Sequence, residues 1–374
     1  MDTDVVVVGL GAMGTAAALA FARAGARVIG LEAEPVVGHA VGSSHGESRI
    51  IRQAYFEDPA YVPLVQEAWD GWQKLERDTG ASLLTRTGGL MIGRPEADVV
   101  AGSVRSARLH GLSHELLSAN EARRRFGQFR WRDDELAVFE PMAGVLRPEV
   151  GVRLAADEAR AKGADLRWGR RVTGITSDGR GVRVVCSDGG AVRASWAVLA
   201  VGAWSNAYLG DRLKLQVERQ VQLWFPWEHA GRCTPATSPV FIHEAPGGGQ
   251  YYGFPSLDGQ TMKVARHHGG QVTEPDRLAR GLEEDDWRPL LDEARELVPG
   301  LRNGPPTRAA VCMYTNSPDG HFIVGRHPER AQIVVLAGFS GHGFKFAPAI
   351  GRLARDLVLG GAAPLPLFDP ARFL

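Results

Sequence analysis

The sequence predicts a mixed α/β protein in which distant chain segments build one parallel sheet and a strand-rich domain is inserted between them. Four apolar runs, near residues 4, 26, 194 and 333, lack polar alternation and so resemble strands buried on both faces of a parallel sheet. Residues 215–267 instead show short strand patterns separated by Pro and Gly. Because apolar runs lie on both sides of this stretch, a shared sheet requires the strand-rich part to be an insertion.

A βαβ pattern opens the chain. Asp4–Val8 is a valine run that predicts the first strand, and Ala26–Leu31 predicts the second. The Ala-rich segment Thr15–Ala24 lies between them and predicts a helix, with Gly25 as its C-terminal cap. This order predicts a turn at the end of the first strand that leads directly into a helix.

The glycines of that turn match a dinucleotide-binding fingerprint. Gly9, Gly11 and Gly14 fit G-x-G-x-x-G, which combines a tight turn, close approach of a pyrophosphate and close helix–strand packing. Glu32 ends the second strand, where a carboxylate accepts ribose hydroxyls and disfavours a 2′-phosphate. The unit therefore predicts a Rossmann-type dinucleotide site, but the fingerprint alone does not separate FAD from NAD.

These patterns divide the 374 residues into two predicted domains. Residues 1–84, 145–214 and 306–374 are predicted to form a discontinuous Rossmann-type domain. Residues 85–144 and 215–305 are predicted to form an antiparallel-sheet domain that binds the substrate.

A Gly/Ser/His-rich loop over residues 40–48 precedes a basic segment. Its small residues, Ser43 and Ser44 among them, allow the backbone to approach a ligand. Arg49 and Arg52 would share a face if this stretch were helical, and paired guanidinium groups suit a phosphate or a carboxylate. A solvated basic surface explains the spacing equally well.

Three further features carry candidate groups. Lys263 interrupts an apolar strand pattern, so it either faces solvent or is a buried cation kept for chemistry. Cys312 lies in an apolar setting, where a lone cysteine is more often an inert core residue. Residues 338–345 form a second Gly-rich loop between strand and helix, which would direct a positive helix end at an electron-rich group.

Composition and charge exclude several other classes. Lys plus Arg and Asp plus Glu both number 43, so no net charge attracts nucleic acid. No segment reaches the roughly 18 apolar residues that span a bilayer, and no signal-peptide pattern precedes the first strand. The three cysteines, Cys186, Cys233 and Cys312, are too widely spaced for a disulfide framework or a zinc site. We therefore expect a cytoplasmic protein without a metal.

Five segments resemble those of the monomeric sarcosine oxidase and N-methyl-tryptophan oxidase family, within the D-amino-acid-oxidase-like flavoproteins: Gly9–Gly14, His45–Tyr55, Tyr251–Pro255, Cys312–Pro328 and Gly338–Phe346. The likeness runs over nearly the whole chain, and the sequences C-M-Y and S-G-H-G-F-K are quite specific to this group. It implies a monomeric FAD-dependent amine oxidase. Such an enzyme oxidises the C–N bond of an N-methyl or secondary amino acid, or a related cyclic amine, to an imine and reduces O2 to H2O2.

The resemblance also implies roles for residues around the cofactor. Cys312 would hold the flavin covalently through its 8α-methyl group, and Lys263 would lie by the reactive face of the ring and promote reaction with O2. His45 and Arg49 would lie close to the ring. The full predicted cofactor site comprises Gly9, Gly11, Ala12, Met13, Gly14, Glu32, Ala33, Ser43, Ser44, His45, Arg49, Val172, Gly202, Trp204, Cys312, Met313, Gly341, Gly343, Phe344 and Lys345.

For the substrate, the resemblance implies that Arg52 and Lys345 bind its carboxylate. The cavity would be lined by Tyr252, His267, Tyr314 and His243, and the predicted catalytic set comprises Lys263, Arg49, His45, Tyr314 and His267. The sequence departs from the sarcosine oxidases at several positions, including His243, Trp224 and Gly325–Arg326, and the run that follows His267 looks more like the N-methyl-tryptophan branch. A larger biosynthetic intermediate is therefore an alternative substrate, and an NAD-dependent dehydrogenase and a non-catalytic flavin-binding protein are alternative functions.

Overall fold

A computed structural model describes residues 1–373 and contains three sheets. Their strands are β1 Thr3–Val8, β2 Val28–Leu31, β3 Arg49–Ile51, β4 Leu84–Arg86, β5 Gly89–Gly93, β6 Glu115–Ser118, β7 Leu136–Glu140, β8 Gly144–Leu146, β9 Asp165–Arg167, β10 Val172–Ser177, β11 Val182–Cys186, β12 Ala191–Leu199, β13 Gln216–Pro226, β14 Val240–Glu244, β15 Gln250–Gly253, β16 Thr261–His267, β17 Arg308–Asn316, β18 Ile323–His327 and β19 Arg330–Ala337. The α-helices are α1 Ala12–Arg23, α2 Val62–Thr79, α3 Asp98–Leu109, α4 Ala119–Arg125, α5 Pro148–Ala161, α6 Asn206–Leu209, α7 Glu284–Leu297 and α8 Ala347–Leu359.

The first sheet contains the four apolar runs singled out in the sequence. Its order is β10-β11-β12-β1-β2-β9, with β19 paired to β12 and β18 paired to β19. Strands β9, β2, β1, β12 and β19 are parallel. Both faces are covered: Val5 and Val7 pack in a core with α1, α5 and α8, whereas Val6 and Val8 pack in a second core. The interleaved α/β fold class is therefore confirmed, because these strands come from both ends of the chain.

The second sheet has the order β17-β13-β16-β15-β14-β5-β7-β6 and is antiparallel except for the β14–β5 pair. Helix α7 supplies Trp287, Leu290 and Leu291 to the core on one of its faces. Residues on the opposite face, such as Cys312 and Tyr314 of β17, line a cavity at the edge of the first sheet. A small third sheet of β3, β8 and β4 completes the fold.

Two sequence expectations differ from the structure. Residues 306–374 are predicted to belong to the Rossmann-type domain, but β17 within them is hydrogen-bonded to β13 in the second sheet. The remaining domain boundaries stay a prediction. The segment that carries Arg49 and Arg52 is not helical, because Arg49–Ile51 is strand β3, paired to β8. Arg52 directly follows this strand, so the helical spacing does not apply to the two arginines.

Among residues 1–373, no helix is long and apolar enough to cross a membrane. Within the same residues, no cluster of His, Cys, Asp and Glu side chains is arranged to hold a metal ion.

Candidate active site

A large cavity of about 400 Å³ lies at the carboxyl ends of the parallel strands β1, β2, β12 and β19. Ligands of open parallel sheets bind at this edge. Most predicted cofactor residues line it: Gly9, Gly11, Ala12, Met13, Glu32, Ala33, Ser43, Ser44, Arg49, Val172, Gly202, Trp204, Cys312, Met313, Gly341, Gly343 and Phe344. Gly14, His45 and Lys345 do not line this cavity.

The glycine fingerprint has the geometry that its spacing predicts. Gly9 has a φ of 88°, and a Cβ atom there would lie 2.5 Å from the carbonyl oxygen of Ala200. A Cβ on Gly14 would lie 1.8 Å from the carbonyl oxygen of Gly9, so the third glycine allows α1 to pack against β1. The Gly11 position is open, with Ser44 Oγ at 3.7 Å. Only the middle glycine therefore leaves room for a ligand beside the backbone.

Glu32 is held in place by the loop that follows it. Its carboxylate accepts hydrogen bonds from the backbone N–H of Leu10 at 2.7 Å and of Glu34 at 3.0 Å, and His39 Nε2 lies 3.6 Å away. Burial alone would raise the pKa of Glu32, but these neighbours outweigh it and lower that pKa. Glu32 therefore presents a fixed anion at the end of β2.

The loop of Ser43 is tied to strand β17. Ser43 Oγ donates to the carbonyl oxygen of Met313 at 2.8 Å, and Arg49 donates to the carbonyl oxygen of Ser43 at 2.9 Å. The Cys312 thiol is 3.8 Å from the same Ser43 oxygen, is only 2% exposed and lines the large cavity. Segments far apart in sequence thus bring a lone cysteine to the wall of the dinucleotide cavity.

One face of the second sheet carries most of the remaining site residues. Cross-strand neighbours point to the same side of a sheet, and β13 pairs Gln220 with Cys312 and Glu218 with Tyr314. On β16, Ala265 is paired with both Gln222 and Tyr252. We call this side the site face. It also carries Lys263 and His267, because each lies two positions from Ala265 on β16 and every second residue of a strand points to the same face.

A second cavity of about 80 Å³ lies between the site face and the β3 segment, and it shares Arg49, Tyr314, Gly341 and Phe344 with the large one. Arg52 lines it and is 2% exposed. Both oxygens of Glu57 lie 2.6 Å from one Arg52 nitrogen. Burial would raise the pKa of Glu57, but the charge of Arg52 lowers it to about 2.

Lys345 is the second buried cation of this small cavity. Its ammonium group donates to the carbonyl oxygen of His342 at 2.8 Å and lies 3.4 Å from the hydroxyl of Tyr55, which in turn is 2.5 Å from His342 Nδ1. Burial, followed by the charge of Arg52, lowers the pKa of Lys345 to about 7. Its charge therefore changes within the physiological pH range.

Three aromatic side chains of the site face line the same cavity. His267 Nδ1 lies 3.3 Å from the hydroxyl of Tyr314, and the rings of His267 and Tyr252 lie edge to face with their centres 6.4 Å apart. Burial holds the pKa of His267 well below its usual value, so the imidazole is neutral. The predicted trio is thus brought together as a neutral, polar wall.

Lys263 is a buried cation and not a solvent-facing one, since it is 3% exposed. Its ammonium group donates to the carbonyl oxygens of Gly46 at 2.6 Å and Ser48 at 3.0 Å, and to Ser48 Oγ at 3.1 Å. Burial, followed by the charge of Arg49, holds the pKa of Lys263 well below its usual value. Lys263 lines neither cavity and lies behind the loop that separates it from them.

His45 is 5% exposed, and its Nε2 atom has no hydrogen-bond partner within the described residues. Burial, followed by the charge of Arg49, lowers the pKa of His45 to about 4. A buried, unpaired ring nitrogen is rare unless a ligand completes its hydrogen bonding.

His243 does not line the small cavity, contrary to the prediction. It is held by Glu135 Oε1 at 2.8 Å and by the Tyr251 hydroxyl at 2.8 Å. Successive side chains of a strand point to opposite faces, so Ile242 lines the cavity and His243 points away from it.

Sequence reasoning missed several groups of the small cavity: Glu57, Gln220, Gln222 and His342. Glu57 follows Arg52 by five positions, and an acid so close to a candidate cation was an available signal. The glutamines gave none, because alternation in β13 is hidden by burial on both of its faces.

Comparison with known proteins identifies the class. The FAD dependent oxidoreductase family model matches residues 4–357. A monomeric sarcosine oxidase of Streptomyces avermitilis is 43% identical, and the match covers 99% of this chain and 97% of that protein. An N-methyl-L-tryptophan oxidase of Salmonella heidelberg is 34% identical, with 100% and 98% covered. The crystal structure of NikD, an unusual amino acid oxidase essential for nikkomycin biosynthesis, is similar with a TM-score of 0.82 and 27% identity over 99% and 96% of the two chains.

The chain therefore belongs to the FAD-dependent oxidoreductase family and is an FAD-dependent oxidoreductase acting on CH–NH donors. This resolves the choice between FAD and NAD that the glycine fingerprint left open. The residues present fit FAD: the Gly11 position is open, and Glu32 is a fixed anion on the cavity wall.

Proposed function

We propose that the protein oxidises a small N-methyl or otherwise secondary amino acid, with O2 as the electron acceptor. The observation that carries the proposal is the small cavity with two buried cations, Arg52 and Lys345, which directly adjoins the dinucleotide cavity. Glu57 is paired with Arg52 and supplies one negative charge against two cations, so protonated Lys345 leaves a net positive charge for a substrate carboxylate. The names of the curated relatives, sarcosine oxidase and N-methyl-L-tryptophan oxidase, support the same substrate class.

The size of the cavity favours the smaller of these substrates. A volume of about 80 Å³ holds roughly five to eight water-sized groups, since one such group needs about 10–15 Å³ on this measure. Sarcosine has six non-hydrogen atoms, whereas N-methyl-tryptophan has many more. NikD, a similar structure, is an amino acid oxidase of nikkomycin biosynthesis. If the substrate of this protein were a larger biosynthetic intermediate, the cavity walls would have to move.

The reaction removes two electrons and two protons from the substrate, converting CH–NH to C=N. When bound, FAD accepts the two electrons and passes them to O2, which takes up two protons to form H2O2. Water then adds to the imine and releases a carbonyl compound and an amine. The nitrogen must be unprotonated, because an ammonium group has no lone pair to form the new C=N bond.

The chain's own residues position the substrate and set the charges around it. Lys345 and Arg52 hold its carboxylate, and this fixes the direction of the C–N bond. Tyr252, His267 and Tyr314 form a neutral wall, which favours an uncharged amine over an ammonium ion. Lys263 would stabilise the negative charge that develops on oxygen when O2 is reduced.

We also propose that Cys312 holds the flavin covalently, as the family likeness implies. Three observations support a thiol that is available to react with the flavin: Cys312 is buried, it lies on the cavity wall, and it has no disulfide partner. The same likeness supports a monomer, and the ordinary cysteine content supports a cytoplasmic location.

The test measures H2O2 production from sarcosine, N-methyl-L-alanine, L-proline, L-pipecolate and N-methyl-L-tryptophan. We expect the highest kcat/KM for the smallest secondary amino acids. Absence of H2O2 and of flavin bleaching with every compound would rule out the proposal.

The covalent link is tested by acid precipitation. We expect the wild-type pellet to remain yellow and the pellet of Cys312→Ala to be colourless, with Cys186→Ala as the matched control because Cys186 is buried but lines neither cavity. A colourless wild-type pellet from flavin-loaded protein contradicts the covalent link without affecting the reaction class.

A further inference from the structure

A buried carboxylate that the proposed reaction does not use lies beside the small cavity. Glu218 is 6% exposed and accepts hydrogen bonds from the backbone N–H of Gly270 at 2.6 Å, the Gln220 amide at 2.6 Å and the Asn316 amide at 2.7 Å. His268 Nδ1 lies 3.4 Å away. Burial would raise the pKa of Glu218, but His268 and these hydrogen bonds lower it. The site therefore contains a permanent, fully satisfied anion.

This anion fixes the orientation of the Gln220 side chain. A carboxylate only accepts hydrogen bonds, so the NH2 group of the amide must face Glu218 and its carbonyl oxygen must point elsewhere. Gln220 is 5% exposed and lines the small cavity. Within residues 1–373 no group donates a hydrogen bond to that oxygen. A cavity-facing carbonyl oxygen without a protein donor is free to accept a hydrogen bond from a ligand.

The neighbouring glutamine shows that this arrangement is specific to Gln220. Gln222 lies on the same strand and lines the same cavity, but its carbonyl oxygen lies 3.4 Å from an Arg49 nitrogen. The carbonyl oxygen of Gln222 therefore has a partner within the protein. The carbonyl oxygen of Gln220 has a fixed orientation but no donor among the described residues.

The open oxygen and the buried cations come from different elements around the cavity. Arg52 follows β3 and Lys345 belongs to the 3₁₀ turn Phe344–Phe346, whereas Gln220 lies on β13 of the site face. A substrate whose carboxylate is held by the cations therefore presents its other end to the sheet.

We propose that Gln220 is a specificity-determining residue that accepts a hydrogen bond from an O–H or N–H group on the substrate's side chain. Glu218 is the positioning residue that keeps the Gln220 oxygen turned towards the cavity. The substrate class is then a small secondary amino acid with a short donor-bearing side chain, such as N-methyl-L-serine. This inference rests on the proposed function only for the orientation of the carboxylate.

The test compares two matched pairs that differ by OH against CH3. The substrates are N-methyl-L-serine and N-methyl-L-2-aminobutyrate, and the unreactive ligands are 3-hydroxypropanoate and butanoate, titrated by the change in flavin absorbance. We expect wild type to prefer the hydroxyl compound by about tenfold in kcat/KM and in Kd, because the methyl analogue covers the Gln220 oxygen without replacing the hydrogen bond that water makes to it.

Gln220→Met should reduce both preferences to about one. Glu218→Ala should do the same by freeing the amide to turn, whereas Glu218→Gln should retain much of the preference because its carbonyl oxygen still accepts from Gln220. Gln250→Met is the matched control, since Gln250 donates to Glu244 at 3.1 Å in the same sheet but lines neither cavity. It should leave both ratios unchanged.

The two proposals fail in different ways. If wild type oxidises both amino acids but prefers neither, or if Gln220→Met keeps the preference, the role of Gln220 is wrong and the reaction stands. If no amine is oxidised but the hydroxyl ligand binds more tightly and Gln220→Met abolishes that difference, Gln220 is supported and the reaction is wrong.

Discussion

The two cavities of this protein are adjacent but are built from different materials. The large cavity has many small residues at the ends of parallel strands, with Gly9 and Gly11 at its turn, and charged side chains such as Glu32 at its edge. The small cavity is lined by buried ionisable and polar side chains, including Arg52, Glu57 and Lys345. In the first, small residues give a ligand access to the backbone, whereas in the second the dominant groups are buried charges.

The difference has a consequence for substitution. A backbone-built cavity is damaged by adding atoms, whereas a cavity built from charged side chains is damaged by removing them.

The largest effect is expected at Lys263, whose ammonium group is buried against the loop of Gly46 and Ser48. Lys263→Met removes the ammonium group and keeps the volume of the side chain. We expect reoxidation of the reduced enzyme by O2 to slow by about 10²- to 10³-fold, because a preorganised charge no longer stabilises the reduced oxygen. The rate at which substrate reduces the flavin without oxygen, measured by stopped-flow absorbance, should change little.

Lys74→Met is the control, because Lys74 is a half-exposed residue that pairs with Asp78 on α2. A wild-type reoxidation rate in Lys263→Met would show that the buried cation has no role with oxygen.

The next effect concerns the backbone-built cavity. Gly9→Ala places a Cβ 2.5 Å from a carbonyl oxygen at a φ of 88°, so the free energy of unfolding should fall by about 2 kcal/mol. Tm should then drop by roughly 5 °C. Gly11→Ala has 3.7 Å of room and should keep its Tm while losing FAD affinity. Equal Tm losses in the two apoproteins would contradict the distinct roles of these glycines.

A moderate effect is expected from pH in the small cavity. Lys345 has a pKa of about 7, so its charge, and with it the affinity for a carboxylate, is present below that pH and lost above it. We expect the Kd of propanoate to rise by roughly tenfold between about pH 6 and pH 9. Lys345→Met should remove this dependence. A pH-independent Kd in wild type would mean that Lys345 does not carry the interaction.

The smallest effect on catalysis is expected at His243. His243→Phe removes the side-chain partner of buried Glu135 Oε1, so the free energy of unfolding should fall by about 1–3 kcal/mol. KM should stay unchanged, because His243 points away from the cavity. If KM changed and the free energy of unfolding did not, we would conclude that His243 contacts the substrate.

The same division explains how much the sequence could predict. The dinucleotide turn was predictable because a glycine pattern is local, and Gly9, Gly14 and Glu32 have the expected places in the structure. The small cavity was predictable only through family resemblance, since Arg52, Lys345 and His267 come from three distant segments. His243 was misplaced because the face of a strand buried on both sides cannot be read from hydrophobicity. Gln220 was missed for the same reason, although its neighbour across the sheet is Cys312.

The hydrogen bond from Ser43 to Met313 joins residues 270 positions apart. Such a contact cannot form before residue 313 has been synthesised, and contacts of this separation are slow to form even afterwards. The wall that carries Cys312 is therefore completed later in folding than the glycine turn at Gly9. We expect a chain truncated before β17 to lack this wall and to bind FAD poorly.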